Sequence, residues 1–305
     1  MRKVIVLTGP TASGKTTLAI ALAKAYEGEI VGADSMQIYR GMDIATAKPT
    51  QQEREEVPHH LIDVAEPGEE ISVFRWYEEA KTAIDGIHGR NKLPIVVGGT
   101  GQYISTLLHN ITYCGQKTEP ELRARLESEY EKKGGAAMLE LLRKFDPAAA
   151  AKLHENDRSR ILRGLELAES GLTKSRQNEL SHGEMIYDIG AIQLNFLSRE
   201  MLYTRIDTRV DEMFAAGLEQ EAKKLRPLLG PTSAQAIGYK ELSGYFDGKQ
   251  SFDEAKSRIK QATRNYAKRQ LTWMRGESGL NRVFADSGTD LFAITTKILQ
   301  LCGVI

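Results

Sequence analysis

The chain has 305 residues, 41% of them hydrophobic, and its 41 Lys+Arg balance 41 Asp+Glu to a net charge of zero. That length supports one large domain or two modest ones with a real core, and neutrality excludes a global field, so any nucleic-acid contact rests on local patches. The two cysteines, Cys114 and Cys302, make neither a C-x-x-C motif nor a disulfide framework, and no run approaches the roughly 18 apolar residues of a membrane span; a soluble, cytoplasmic protein without membrane contact is expected.

The first predicted element is a strand through Val4–Leu7. It runs into Gly9-Pro10-Thr11-Ala12-Ser13-Gly14-Lys15-Thr16, which fits G-x-x-x-x-G-K-[ST] and opens a helix near Lys15. Backbone N–H groups from Ala12 to Lys15 can cradle anionic oxygens at that helix N-terminus. Lys15 supplies a neutralising charge, and the Thr16 hydroxyl is positioned to ligate Mg²⁺. The loop binds a diphosphate or polyphosphate, without saying which.

Further strands follow at EIVGADS, HHLIDVA and LPIVVGGT. Between the last two, Val73, Tyr77, Ala80, Ile84 and Ile87 repeat at helical spacing behind Ser72 as N-cap. Such alternation predicts an α/β fold, a parallel sheet flanked by helices with ligands at the carboxyl ends of the strands. Asp34 ends the second strand and is a candidate general base or Mg²⁺-linked carboxylate, though Asp-Ser is also a common turn. Gly98-Gly99-Thr100 ends another, where glycine lets backbone approach a ligand closely. A kinase would prefer an acidic residue there; Asp63 is an alternative holder of Mg²⁺.

Residues 115–183 carry no strand pattern and interleave charge with helical spacing, which predicts an inserted all-helical domain within a core of 1–114 and 184–305; an ordinary helical lobe of the same domain fits the pattern equally. Within it, Arg160 and Arg163 share a helix face. A strand at IGAIQLNF resumes the core. Beyond it, Arg205 and Arg209 lie four apart, over a buried stripe of Leu202, Ile206, Val210 and Met213. Ser251-x-x-Glu254 is a capping box opening a helix in which Lys260, Arg264 and Lys268 stack at i, i+4, i+8, with Tyr266, Gln270 and Trp273 interleaved. Like charges at that spacing repel, so the stripe is expected to meet a polyanion such as nucleic acid.

GPTASGKT, DSMQIYRGMDIATAKP, HHLID, GGTGQY, NDRSRILRGLE, QAIGYKE and AKRQLTWMR occur in this order across nearly the whole chain. Together they resemble the tRNA isopentenyl transferase family of bacterial tRNA dimethylallyltransferases. The resemblance implies a P-loop nucleotide-kinase-like core acting on two partners, dimethylallyl diphosphate and tRNA, with Mg²⁺ as cofactor and a monomeric state. The family moves a dimethylallyl group onto N6 of the adenine 3′ to the anticodon, so the loop would hold a prenyl diphosphate. By motif match, Asp34 is the general base, Lys15 and Arg209 stabilise the leaving diphosphate, and Thr100 contacts the target nucleotide. The same match assigns tRNA contacts to Asp34, Ser35, Met36, Gln37 and Thr100, and to Arg123, Ser159, Arg160, Ile161, Leu162 and Arg163. It adds Gln235, Gly238, Tyr239, Lys240, Lys268, Arg269, Gln270 and Trp273. Gln102 stands where an apolar residue is common, and Arg158 where proline is frequent; neither is a proposed catalytic residue. An adenylate isopentenyltransferase or a nucleotide kinase would share the loop, but a free nucleotide requires neither a helical insertion nor a basic stripe.

Overall fold

The computed structural model describes residues 2–111, 119–171, 173–175 and 183–305; Cys114 lies outside them. Six strands, β1 (Arg2–Thr8), β2 (Gly28–Gly32), β3 (His59–His60), β4 (Leu93–Gly98), β5 (Tyr187–Asn195) and β6 (Asn281–Phe284), form one sheet in the order β3-β2-β4-β1-β5-β6. Every pairing is parallel. The helices in chain order are α1 (Lys15–Ala25), α2 (Gln51–Glu56), α3 (Val73–Gly89), α4 (Gly101–Leu108), α5 (Pro120–Phe145), α6 (Pro147–Ala150) and α7 (Arg158–Glu169). They continue with α8 (Arg199–Ala215), α9 (Leu218–Leu225), α10 (Tyr239–Phe246), α11 (Phe252–Gly276) and α12 (Leu291–Leu301).

Alternation along β1 explains why its sequence is apolar throughout. Val4 and Val6 pack against Trp76, Ile84, Tyr103 and Ile104 of α3 and α4, while Ile5 and Leu7 pack against Leu18, Leu22 and Leu299 of α1 and α12. Both faces of the sheet are buried, so neither set can be polar. The Ser72 hydroxyl caps α3 by accepting from Arg75 N (3.1 Å). One turn in, the Trp76 indole N–H donates to Gly32 O (2.9 Å), and its ring stacks on Tyr103 at 4.2 Å. That pair fixes α3 and α4 against the carboxyl end of β2.

Two strands differ from expectation. β3 is reduced to His59–His60 because Leu61 (φ 60°) and Asp63 (φ 56°) adopt left-handed backbone that breaks a ladder. β6, NRVF, has no alternating apolar pattern to announce it; it is a short edge strand with Val283 buried.

The chain divides into two compact units, Met1–Leu108 with Ile186–Ile305, and His109–Met185. The second contains α5, α6 and α7, and its core is built from Leu126, Met138, Leu142, Ile161, Leu162 and Leu165. Gly134 (φ 78°) breaks α5 in two, and Gly135 passes so close to Glu155 O that a Cβ would lie 2.1 Å away. Among the described residues no helix is long and apolar enough to cross a membrane.

Ile161 and Leu162 are fully buried in this helical core, so their side chains offer RNA no surface; the motif match captured a packing face. Ile161→Ala is therefore expected to destabilise the protein by about 2–5 kcal/mol in urea unfolding. A loss below about 1 kcal/mol would contradict the burial argument.

Candidate active site

The phosphate loop leaves β1 at Thr8, whose hydroxyl donates to Gly98 O (3.0 Å). It turns through Ala12 (φ 62°) and Gly14 (φ 86°), and Gly14 is the residue before α1. No side chain caps α1 and no acidic residue occupies its first turn. Its leading N–H groups thus face the cavity with the positive end of the helix dipole behind them, the arrangement an anion requires. The buried Ser13 Oγ has no hydrogen-bond partner among the described residues. Lys15 Nζ donates to Gly9 O (2.9 Å) and Pro10 O (2.7 Å). Burial pushes the Lys15 amine down to about 7; the neighbouring Arg209 lowers it further, and Asp34 opposes both.

Helix α8 supplies two arginines from one face. Arg205 Nε donates to Ala12 O (2.8 Å), and Arg209 reaches Thr11 Oγ1 (3.4 Å). Burial lowers the Arg209 pKa, with Asp34 and Glu212 opposing. Leu202, Ile206 and Val210 are buried on the same helix while Met213 is half-buried, which is what aims the arginines at the loop.

At the end of β2, Asp34 Oδ1 accepts from Met36 N (2.9 Å) and Gln37 N (3.4 Å), a turn that fixes the carboxylate. Its Oδ2 receives no hydrogen bond from the described residues, and Asp34 lines the same cavity as Lys15 and Arg209. Thr100 joins the group from the end of β4. Its Oγ1 accepts from Ser35 N (2.9 Å) and donates to Ser35 Oγ (3.3 Å), while its own N–H donates to Ala33 O (3.2 Å). The cavity lined by the phosphate loop, Asp34, Ser35 and Arg209 has a volume of about 730 Å³.

Helix α11 closes one side, and it carries one residue, Gln270, that the motif match misassigned. Gln270, 5% exposed, accepts from Thr11 N (2.9 Å) and donates to Gly99 O (2.9 Å). It is a strut inside the protein and not an RNA-facing side chain. Trp273 is half-buried against Gly101, where a Cβ would lie 2.4 Å from its ring. Tyr266 lines the cavity, and its phenol is pushed up by burial and then by the nearby Asp34 charge. Sequence reading noted Tyr266 only as an interleaved aromatic.

The basic stripe also reads differently. Lys256 and Lys260 both pair with Asp211 (2.8 Å each), and Arg264 grips Asp207, with Nε 2.9 Å from Oδ1. The i, i+4 carboxylates of α8 neutralise the i, i+4 cations of α11, so repulsion is relieved inside the protein without a polyanion. Lys268, Arg269 and Arg275 remain exposed. Asp63 is likewise withdrawn from any metal role: it pairs with Lys48 and with Arg54 (2.6 Å).

Of the other motif-matched positions, Ser159, Arg160, Gln235 and Lys240 are exposed. Arg123 instead donates to Glu127 (2.7 Å) and to the buried Glu166 (2.9 Å), which Arg163 also contacts (3.0 Å). Tyr239 is buried and donates to Glu221 (2.7 Å), and Gly238 is buried against Ala45. Gln37 spends its amide N–H groups on Thr46 O (3.0 Å) and Ala47 O (3.1 Å). Glu221, which no motif flagged, accepts from the N–H groups of Asp43, Ile44 and Ala45 as well as Tyr239, and so holds the cavity wall from behind.

Lys15 makes anion binding pH-dependent. With the free amine near 7, it is largely neutral above that pH, and a bound diphosphate would recharge it by taking up a proton. Affinity for inorganic diphosphate should therefore fall as pH rises through about 7. Calorimetry near pH 8, in buffers of differing ionisation enthalpy, should show the protein taking up as much as about one proton more than Lys15→Arg, whose side chain stays charged. Equal uptake would show that Lys15 is already charged in the free protein.

Comparison with known proteins places the whole chain in a family. The family model described as IPP transferase matches residues 37–277, and one described as Isopentenyl transferase matches residues 2–64. A tRNA dimethylallyltransferase of Bacillus cytotoxicus is 46% identical over 278 residues, covering 90% of this chain and 88% of that one. The full-length tRNA isopentenylpyrophosphate transferase of Bacillus halodurans superposes with a TM-score of 0.71 at 39% identity, covering 99% of this chain and 95% of that one. A eukaryotic dimethylallyltransferase acting on tRNA superposes with a TM-score of 0.81 at 33% identity, covering 98% of this chain and 78% of the other. The chain belongs to the IPP transferase family.

Proposed function

We propose that this protein is a tRNA dimethylallyltransferase, which transfers the dimethylallyl group of dimethylallyl diphosphate to N6 of the adenine 3′-adjacent to the anticodon and releases diphosphate. The observation that carries the reading is the single cavity shared by an uncapped phosphate loop, Arg209 and the Asp34 carboxylate, whose Oδ2 accepts no hydrogen bond among the described residues, with Thr100 held against the cavity-lining Ser35. The family membership and the names of its tRNA-modifying relatives support the same substrate class.

The adenine N6 lone pair attacks C1 of the allyl group, the C1–O bond breaks, and its electrons leave with the diphosphate. Loop N–H groups, Lys15 and Arg209 stabilise that developing charge. Asp34 accepts the N6 proton, and Thr100, fixed by Ser35, orients the nucleotide. To reach the cavity the adenine must leave its stack, as enzymes acting on a base require. The donor set fits a magnesium ion held mainly by substrate: Thr16 offers one hydroxyl at the cavity, and no cluster of three His, Cys, Asp or Glu occurs among the described residues. Thr16 would help to hold Mg²⁺, which would supply further charge neutralisation to the leaving group.

Incubation with labelled dimethylallyl diphosphate and either tRNA or AMP tests the reading. Label on the tRNA adenine is expected; label on AMP alone would make the protein an adenylate prenyltransferase. Asp34→Asn should keep both substrates bound yet lower turnover by roughly 10²–10⁴-fold, and near-normal turnover would remove Asp34 from the mechanism. Lys268 is exposed without an ion pair among the described residues. Lys268→Ala should flatten the dependence of log K for tRNA on log salt by about 0.7–0.9. Arg264→Ala should leave that slope unchanged, because Arg264 is already spent on Asp207. Equal slope changes would return Arg264 to the RNA interface.

A further inference from the structure

We propose that Gln270 is a positioning residue that holds the two halves of the active site in register, a role that rests on the transferase reading above. Its amide joins two loops that leave neighbouring strands. Thr8 of β1 pairs with Gly98 of β4 in the sheet; just beyond, the chains separate into the phosphate loop and the Gly99–Thr100 turn. Gln270 Oε1 accepts from Thr11 N (2.9 Å) on one side, and Nε2 donates to Gly99 O (2.9 Å) on the other.

Each anchor is one step from a chemical group. Thr11 carries the hydroxyl that Arg209 touches, on the leaving-group side. Gly99 precedes Thr100, whose hydroxyl fixes Ser35 beside Asp34 on the nucleophile side. Displacement of C1 needs N6, C1 and the departing oxygen aligned, so the spacing of these two sides is itself part of the chemistry. The fit is close: a Cβ on Gly99 would lie 2.1 Å from Nε2.

The requirement is for an acceptor facing Thr11 and a donor facing Gly99. An amide meets it, and so does a protonated carboxylic acid of the same shape. A carboxylate accepts only, and would set its charge against the Gly99 carbonyl. The charged and titratable groups sharing the cavity are Lys15 on the loop, Asp34 after β2, Lys48 and Glu53, Arg205, Arg209 and Glu212 on α8, and Tyr266 and Arg269 on α11 with Gln270.

Gln270→Glu and Gln270→Leu test this in single-turnover transfer, with protein in excess of tRNA and saturating dimethylallyl diphosphate. At protein concentrations that saturate tRNA binding, the rate constant is independent of the fraction of protein that folds. Near pH 8 both variants should be roughly 10–100-fold slower than the native protein, with tRNA affinity within about threefold, because most of that contact lies elsewhere. Lowering the pH toward about 6 should raise the Gln270→Glu rate relative to native at least about fivefold, as the acid form restores the missing donor. The Gln270→Leu ratio should stay flat. The ratio to native cancels protonation of Asp34, and the glutamate variant keeps the test alive should the leucine variant fail to fold. A pH-independent Gln270→Glu ratio, or either variant at the native rate, overturns the proposal. Absence of transfer by the native protein would instead overturn the functional reading.

Discussion

The active site depends on one close approach, where the end of β4 passes the end of β2. A Cβ on Gly98 would lie 2.0 Å from Ala33 O, so no residue but glycine fits. That contact sets Thr100 N against Ala33 O and Thr100 Oγ1 against Ser35 N, and thereby fixes the residue that follows Ala33. The placement of the Asp34 carboxylate and of Thr100 beside it is thus a consequence of sheet packing. A parallel sheet gathers its strand ends at one edge; the glycines decide how near they come.

The second layer is helical, and its charges work inward. Helix α8 points two arginines at the phosphate loop and, on the turns between, two aspartates at the cations of α11. Helix α11 in return inserts Gln270 and Tyr266 at the strand ends. The pairing of these helices therefore orients the leaving-group arginines. Half-exposed ion pairs of this kind contribute modestly to stability; their use here is register between two helices that both line the cavity.

Much of this was legible in the sequence, and the failures share a cause. The phosphate loop, the Ser72 and Ser251 caps and the apolar strands are local patterns, and each appears in the structure. The partners of Lys260 and Arg264 lie 49 and 57 residues away along the chain, so the stripe looked unneutralised. The Gln270 bonds span 259 and 171 residues, beyond any local pattern. Ile161 and Leu162 sit inside a motif rich in arginine, and only helix packing reveals which face is turned inward. Strand β6 is polar and four residues long, so periodicity had nothing to count.

A phosphate loop on this fold invites the expectation of phosphoryl transfer, and the account holds that the loop grips a leaving group instead. The most direct test is product stoichiometry. The protein would be mixed with dimethylallyl diphosphate and an anticodon stem-loop RNA, and diphosphate, orthophosphate and N6-dimethylallyladenosine counted after quenching. One diphosphate per prenylated adenosine, with no orthophosphate, is the expected result. Orthophosphate release, or diphosphate released without prenylated adenosine, would contradict the account.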